Sequence, residues 1–528
     1  MNPSQTRTEA SDSSAPAPLA GAGPAPAAPD PHPDTAPVLD HHGGAKTRGL
    51  QAIPRSSLTE GKFGWLLRGL PPCLARTEEQ IQALVASLVE PADAGGSWGA
   101  TGRDNPAIPA VYTYLAQLLD HDLTFDAASD SQRRDDPDAL HNFRTPRLDL
   151  DSVYGSGPRV SPHLYHKADP DKLLLGGPAG PDGKPDGTDL PRNSDGIALL
   201  GDPRDDVHLV ISQLHLALLH FHNAVVDRVR ADTSLVPPGS IVFDAAQQLV
   251  RWHWQWVVVH DLLPRLVGPA TLAEVLPAAG DESSGKNLGR GWGKPRLLLY
   301  TPRNRPYVPL EFSGALYRFG HTMVRNDYQL NATTGLITTF SPSPEPGERD
   351  DLRGHRPIPG GWMIDWTLFA PTPGGSPQPS RLIDSLLAPD LHQLPASVDT
   401  ARRSLAFLNI RSGQRYGLPS GESFAAAVTA ALAAAGGQLA GPTLAPGDSG
   451  MNDTPLWLWM LKEAELRTGG QHLGPVAGRI ITEVLLGLLW HDKASYLRAA
   501  PGWTPSLARS AGQFTITDLL TVAGGLAP

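Results

Sequence analysis

The sequence predicts a mainly α-helical fold, a single large helical domain with long loops and few short strands. Three observations carry this. Apolar residues recur at helical spacing over long segments, strand-like alternation is scarce, and glycine- and proline-rich stretches separate the periodic segments.

Taken in order, residues 1–45 are rich in alanine, proline and serine and read as a disordered tail ahead of a domain at 46–528. The first helical segment is 109–122, with Val111, Tyr114, Leu115, Leu118 and Leu119 apolar. The second, 205–230, carries Leu209, Ile211, Leu214, Leu218, Leu219 and Val225. The third is 243–267 and the fourth 310–324. Further helices are expected over 380–387, 424–435, 454–468 and 475–497, with loops at 176–193, 341–361 and 371–379. There is no internal repeat, and no glycine-rich phosphate loop precedes a helix.

Composition narrows the function. At 528 residues the length prior suggests three or four domains, but helical enzymes often merge into one unit. The net charge of -10, without a Lys/Arg block, argues against nucleic-acid binding. Cys73 is the sole cysteine, so an internal disulfide framework and a thiolate metal cluster are excluded. No transmembrane segment is expected, because the longest apolar candidate, 476–490, is interrupted by Arg479 and Glu483. The N-terminus lacks a basic region followed by an apolar core, so the expectation is a cytoplasmic protein or export by a leaderless route.

The chemistry begins at "LAQLLDHDLTF", residues 115–125. On a helix Gln117 and His121 share a face, and Asp120 and Asp122 point to either side. In isolation "DHD" is more often a solvated helix end than a site. Downstream, "RTPRLDLDSVYGSGP" alternates Thr145, Asp149 and Asp151, a run of oxygens suited to Ca²⁺. Asp-rich loops are also common as plain turns. "GDPRDDVHLVISQLHLALLHFHNAVVDRV" places Arg204 near a helix start and His208, His215 and His222 at heptad spacing. Three histidines so spaced on one helix cannot close around one ion, so core or capping roles are expected. "ALYRFGHTMVRNDYQLN" sets His321 on an apolar helix, and "LAFLNIRSGQRYGLPSG" ends an apolar run at Asn409.

In this order, over 108–418, the motifs resemble those of the animal-type haem peroxidases of the peroxidase–cyclooxygenase superfamily, in particular its bacterial members. The resemblance implies a mainly helical fold with haem b buried between a distal and a proximal helix. Gln117 and His121 match the distal glutamine and histidine of the family's "GQFLDHD" pattern, and Asp120 matches a carboxylate that can form an ester to the haem. Asp122 matches a calcium ligand, with Thr145, Arg147 (through its carbonyl), Asp149 and Asp151 completing the Ca²⁺ site. Arg204 matches the distal catalytic arginine, His321 the proximal iron ligand, Asn409 its hydrogen-bond partner, and Arg318 an arginine near the haem propionates.

The chemistry of these residue types agrees. A neutral His121 can take a proton from hydrogen peroxide and return it to the leaving oxygen. The permanent charge of Arg204 suits a developing hydroxide. Asn409 can fix the tautomer of an iron-bound His321.

The departures matter as well. Val207 stands where relatives carry a second ester carboxylate, and His208 where a sulfonium-forming methionine lies. Two-point covalent attachment is therefore excluded, while a single ester at Asp120 is allowed. Efficient chloride oxidation is not expected. In the last motif "RGRDHGLP" becomes "SGQRYGLP", leaving Arg411 or Arg415 to replace the lost arginine. The expected activity is a peroxidase that reduces hydrogen peroxide and oxidises an organic donor or a small anion (iodide, bromide or thiocyanate). The alternative is a fatty-acid dioxygenase. It is disfavoured because those enzymes use a tyrosine three residues before the proximal histidine, where this chain has Arg318, with Tyr317 one position earlier.

Overall fold

The computed structural model describes residues 61–91, 102–125, 141–142, 144–180, 184–237, 239–277, 294–302, 305–341, 350–394, 403–509 and 512–526. The expected tail at 1–45 lies outside them. Ten α-helices of seven or more residues stand among the described residues. They are α1 (Glu78–Val85), α2 (Val111–Leu123), α3 (Leu209–Ala231), α4 (Val242–Val257), α5 (Pro269–Val275), α6 (Leu405–Arg415), α7 (Gly421–Ala434), α8 (Leu456–Thr468), α9 (Pro475–His491) and α10 (Ile516–Val522). Four two-stranded antiparallel ribbons accompany them.

The long expected helices form with bounds set by local chemistry. α2 follows Pro109 and ends where Thr124 turns extended and its hydroxyl donates to the Asp120 carbonyl at 2.9 Å. α3 starts at a side-chain cap, His208 Nδ1 accepting the Val210 amide at 3.2 Å. The segment expected as one helix at 243–267 is α4, a π-turn over Val258–Leu262 and a last turn over Leu263–Val267. Pro264 has no N–H to return to the His260 carbonyl, so the regular ladder cannot pass through it. α1, α5, α6 and α10 lie outside the expected helices, since each is short and mixes its apolar residues with polar ones.

Two expectations are corrected. Residues 380–387 do not form a helix. Pro379–Arg381 is a strand paired with Asp104–Pro109, and its charges join a buried ion-pair network in which Arg381 meets Asp104 at 2.7 Å and Glu90 at 3.2 Å. The segment 310–324 is not one helix either. Leu310–Gly314 is a short α-turn, Ala315 leaves helical geometry (φ -143°, ψ -66°), and Leu316–Met323 continues as a 3₁₀ helix. A Cβ on Gly314 would come within 2.7 Å of the Tyr416 ring, so the chain passes too close to α6's end for a larger residue.

α3 is the central element. It packs on α4 and α2, and is buried along most of its length. Among the described residues it alone is long and apolar enough to cross a membrane, and 83% of its most apolar window lies inside the fold. It fills the helix expected at 205–230. α2 also packs against the Leu316–Met323 turn, which rests on α8, and α8 rests on α6. This stack positions the site.

Candidate haem and calcium sites

A cavity opens between α2 and the Leu316–Met323 turn. From one side come Thr113, Ala116, Gln117 and Asp120 of α2, with Val207 and His208 beside them. From the other come Tyr317, Arg318, Gly320, His321 and Val324, while Phe340, Leu391 and Leu405 add apolar wall. Mostly apolar walls, two histidines and one arginine suit a flat apolar macrocycle bearing an iron and two carboxylates.

The 3₁₀ geometry places residues three apart in line. Arg318 and His321 are such a pair, and Asn409 of α6 meets both. Its Nδ2 lies 2.9 Å from His321 Nδ1, and its Oδ1 accepts from Arg318 Nη1 at 3.4 Å. Arg318 Nε also donates to the Ser313 carbonyl at 2.9 Å.

On α2, Gln117 and Asp120 line the cavity, and the Thr124 hydroxyl donates to Asp120 Oδ1 at 3.1 Å. His121 follows Gln117 by one turn on the same face, but its ring is drawn back behind the wall. It is wholly buried, with Nδ1 2.7 Å from Asp205 Oδ1.

Arg204 is not where the resemblance puts it. It does not line the cavity. Its Nε donates to Asp202 Oδ1 at 3.1 Å, and its Nη2 to the carbonyls of His121 (3.0 Å) and Thr124. The cause is Asp202. Burial opposes its ionisation, but Arg144 and Arg204 outweigh burial and hold its carboxyl well below the usual range. Arg204 thus clamps the C-terminal carbonyls of α2, where a cation is favourable.

The expected calcium residues converge in part. One carboxylate oxygen from each of Asp122, Asp149 and Asp151 lies within 4.8 Å of the others. Thr145 Oγ1 donates to Asp149 Oδ1 at 2.9 Å, and its amide to Asp151 Oδ2 at 3.3 Å. Arg147 occupies the same turn, its amide donating to the Thr145 carbonyl at 2.8 Å, while its exposed side chain lies 3.9 Å from Asp492. Asp122 is completely buried, and its oxygens make no regular hydrogen bond, although the Leu150 amide leans toward them. Burial first, then Asp151 and Asp149, pushes its carboxyl well above the ordinary range. Burial likewise raises Asp149, and raises Asp151 to about 7 even with Arg144 lowering it. Three carboxylates that burial and mutual repulsion make reluctant to ionise, one of them unsatisfied, suit a hard divalent cation.

Some site residues escaped the sequence reading. Asp202 and Asp205 sit in "GDPRDD", where acidic residues next to an arginine looked like an ordinary helix start. His208 was read as core or cap, and it is both. It stacks on Tyr114 (centroids 5.1 Å, 20°), and burial lowers its pKa to about 3. Arg411 lies 3.6 Å from exposed Glu78 rather than at the cavity.

The fold and this cavity define a mainly helical protein with a mostly apolar cavity between α2 and the Leu316–Met323 turn. The family model for animal haem peroxidase matches residues 111–427, most of the chain that builds the cavity, and the protein belongs to the animal haem peroxidase family. It is 28% identical over 256 residues to the human probable oxidoreductase PXDNL, covering 44% of this chain and 16% of that protein. It is 24% identical over 303 residues to Drosophila melanogaster peroxidasin, covering 53% and 17%. The chain thus spans less than a fifth of these relatives. Among solved structures, peroxidase A from Dictyostelium discoideum aligns with a TM-score of 0.56 at 14% identity, over 88% of this chain and 93% of that one. A fatty acid alpha-dioxygenase from Arabidopsis thaliana aligns at 0.54 and 14%, over 88% and 77%. At such identity the structures speak for the fold.

Proposed function

We propose that this peroxidase-family oxidoreductase binds haem b through His321, reduces hydrogen peroxide, and oxidises an organic donor or a small anion such as iodide, bromide or thiocyanate. The observation that carries the reading is that His321, anchored by Asn409, shares one cavity with the face of α2 that bears Gln117 and leads to His121. Bound haem would supply the iron that cleaves the peroxide O–O bond and stores the oxidising equivalents. His121 takes a proton from peroxide and gives it to the departing oxygen. Gln117 orients the peroxide from the cavity wall. Arg204 acts through position, fixing the end of α2. Arg318 holds haem carboxylates, and Ca²⁺ on Asp122, Thr145, Asp149, Asp151 and the Arg147 carbonyl ties α2 to the next loop. Asp120 is the one carboxylate left from the two-ester pattern, so at most one ester forms per haem. The test is haem titration followed by a peroxide-dependent screen of phenols and the three anions; no Soret band on titration refutes it.

A second reading, fatty-acid dioxygenation, gains one observation. Tyr317 lines the cavity together with His321. In the 3₁₀ turn Tyr317 is offset by about 120° from Arg318, the position in line with His321, yet its side chain still reaches the cavity wall.

A further inference from the structure

Asp205 lies in the 3₁₀ turn Pro203–Asp206 ahead of α3 and is wholly buried. Each of its carboxylate oxygens meets a different imidazole. Oδ1 is 2.7 Å from Nδ1 of His121 on α2, and Oδ2 is 2.7 Å from Nδ1 of His215 on α3. All three side chains are sealed from solvent.

An ionised carboxylate only accepts hydrogen bonds. Burial opposes ionisation of Asp205, but the two histidine hydrogen bonds outweigh it and keep the carboxyl below its ordinary range. Both rings must therefore donate Nδ1–H. With Nδ1–H given to Asp205, Nε2 is the ring nitrogen through which each imidazole can exchange a proton. The carboxylate also fixes both ring planes and joins α2 to α3 at the level of the site.

We propose that Asp205 is the positioning residue that makes His121 a base toward peroxide. The proposal rests on the reading of His121 as the group that handles the peroxide proton. In the step, the peroxide O–H bond breaks as His121 Nε2–H forms, and no electron leaves the imidazole. The same proton is then delivered to the departing oxygen, which leaves as water. Bound haem would supply the two electrons that O–O cleavage consumes, and the reductant would restore them. Transiently cationic His121 is compensated by Asp205, whose negative charge is already in place and needs no reorganisation. Arg204, one residue earlier, is engaged by Asp202 and backbone carbonyls.

The test is Asp205→Asn. The near-isosteric amide offers one acceptor and one donor, so one of the two rings must move its proton to Nε2. Tautomers are read by ¹⁵N correlation spectra of histidine-labelled protein in the diamagnetic ferrous carbon-monoxide form, assigned with His121→Gln and His215→Gln. Wild type is expected to show Nδ1–H on both rings; Nε2–H on His121 overturns the proposal whether or not any variant folds. In stopped flow, Asp205→Asn should slow the peroxide-dependent Soret change by on the order of 100-fold. Haem affinity and the later reduction by donor should stay at wild-type rates. An unchanged peroxide rate in Asp205→Asn with a lost rate in His121→Gln removes Asp205 from its role and leaves the base reading standing. An unchanged rate in His121→Gln removes that reading, and the proposal with it.

Discussion

Asn409 holds its amide nitrogen 2.9 Å from Nδ1 of His321, with its amide oxygen toward Arg318. Iron ligation through Nε2 needs the His321 proton on Nδ1, and so needs the amide turned to present Oδ1. The two amide orientations have the same shape. Haem binding is therefore expected to turn the amide and release Arg318 to a haem carboxylate. His321→Ala should abolish the Soret band, while Asn409→Ala should weaken haem retention roughly 10–100-fold, as losing a ligand's orienting partner does. Asn409→Asp, a stronger acceptor, should lower the reduction potential. Haem titration and spectroelectrochemistry measure these effects, and a normal Soret band in His321→Ala would sink the ligand assignment.

Calcium should stabilise the distal side. Asp122, Asp149 and Asp151 converge from α2 and the following loop, and burial makes their unshielded charges costly. Free Ca²⁺ at 100 times its Kd adds about 2.7 kcal/mol, so EGTA should lower Tm and calcium should restore it. Asp122→Ala should melt at the same temperature with and without EGTA. Calorimetry that finds wild-type melting indifferent to chelator eliminates the calcium site.

These two sites differ in how far the sequence disclosed them. Gln117, Asp120, His321, Arg318 and Asn409 were legible because each stands in an ordered motif, and the cavity brings all but Asn409 into its wall with Asn409 directly behind. The long helices were legible because the apolar period runs unbroken, as in 209–231. Arg204 was misplaced because its partner Asp202 is two residues away in a turn, and nothing in a one-dimensional pattern says that a buried aspartate will claim the guanidinium. The strand at Pro379–Arg381 was hidden for a related reason. Its arginine is matched by Asp104 and Glu90, far away in sequence. The close pass of Gly314 against Tyr416 is again a long-range contact.

Acid should destabilise the protein partly through His208. Its folded pKa of about 3 lies below the ordinary value of 6.5, because burial disfavours the cation. Between those values the unfolded chain binds the proton and the folded chain does not, so stability rises with pH across this window. The contribution is complete above about pH 6.5 and fades as pH falls toward 3, amounting to on the order of 2 kcal/mol between pH 7 and pH 5. His222, also buried and lowered to about 4, acts in the same sense. His208→Asn keeps an acceptor for the α3 cap and removes the titration. Its Tm should drop less than that of wild type between pH 7 and pH 5; an equal drop would assign the acid sensitivity elsewhere.

Tyr317 separates the two activities. Its ring stacks on Phe312 at 4.7 Å, and its buried hydroxyl makes no hydrogen bond. Burial, with Asp120 nearby, pushes its pKa well above the usual phenol value, so it stays protonated and would lose its proton only along with an electron. On the peroxidase reading that oxidation is not needed, because His121 and bound haem would complete the peroxide step without it. Tyr317→Phe should therefore keep haem binding and peroxide-dependent phenol and iodide turnover near wild type. A dioxygenase would need a tyrosyl radical to take hydrogen from the lipid, and the same variant would lose all oxygen uptake with linoleic acid. An oxygen electrode and a peroxidase assay on one preparation decide between them. Peroxide-free oxygen uptake by the wild type that vanishes in Tyr317→Phe would replace the peroxidase reading with the dioxygenase one.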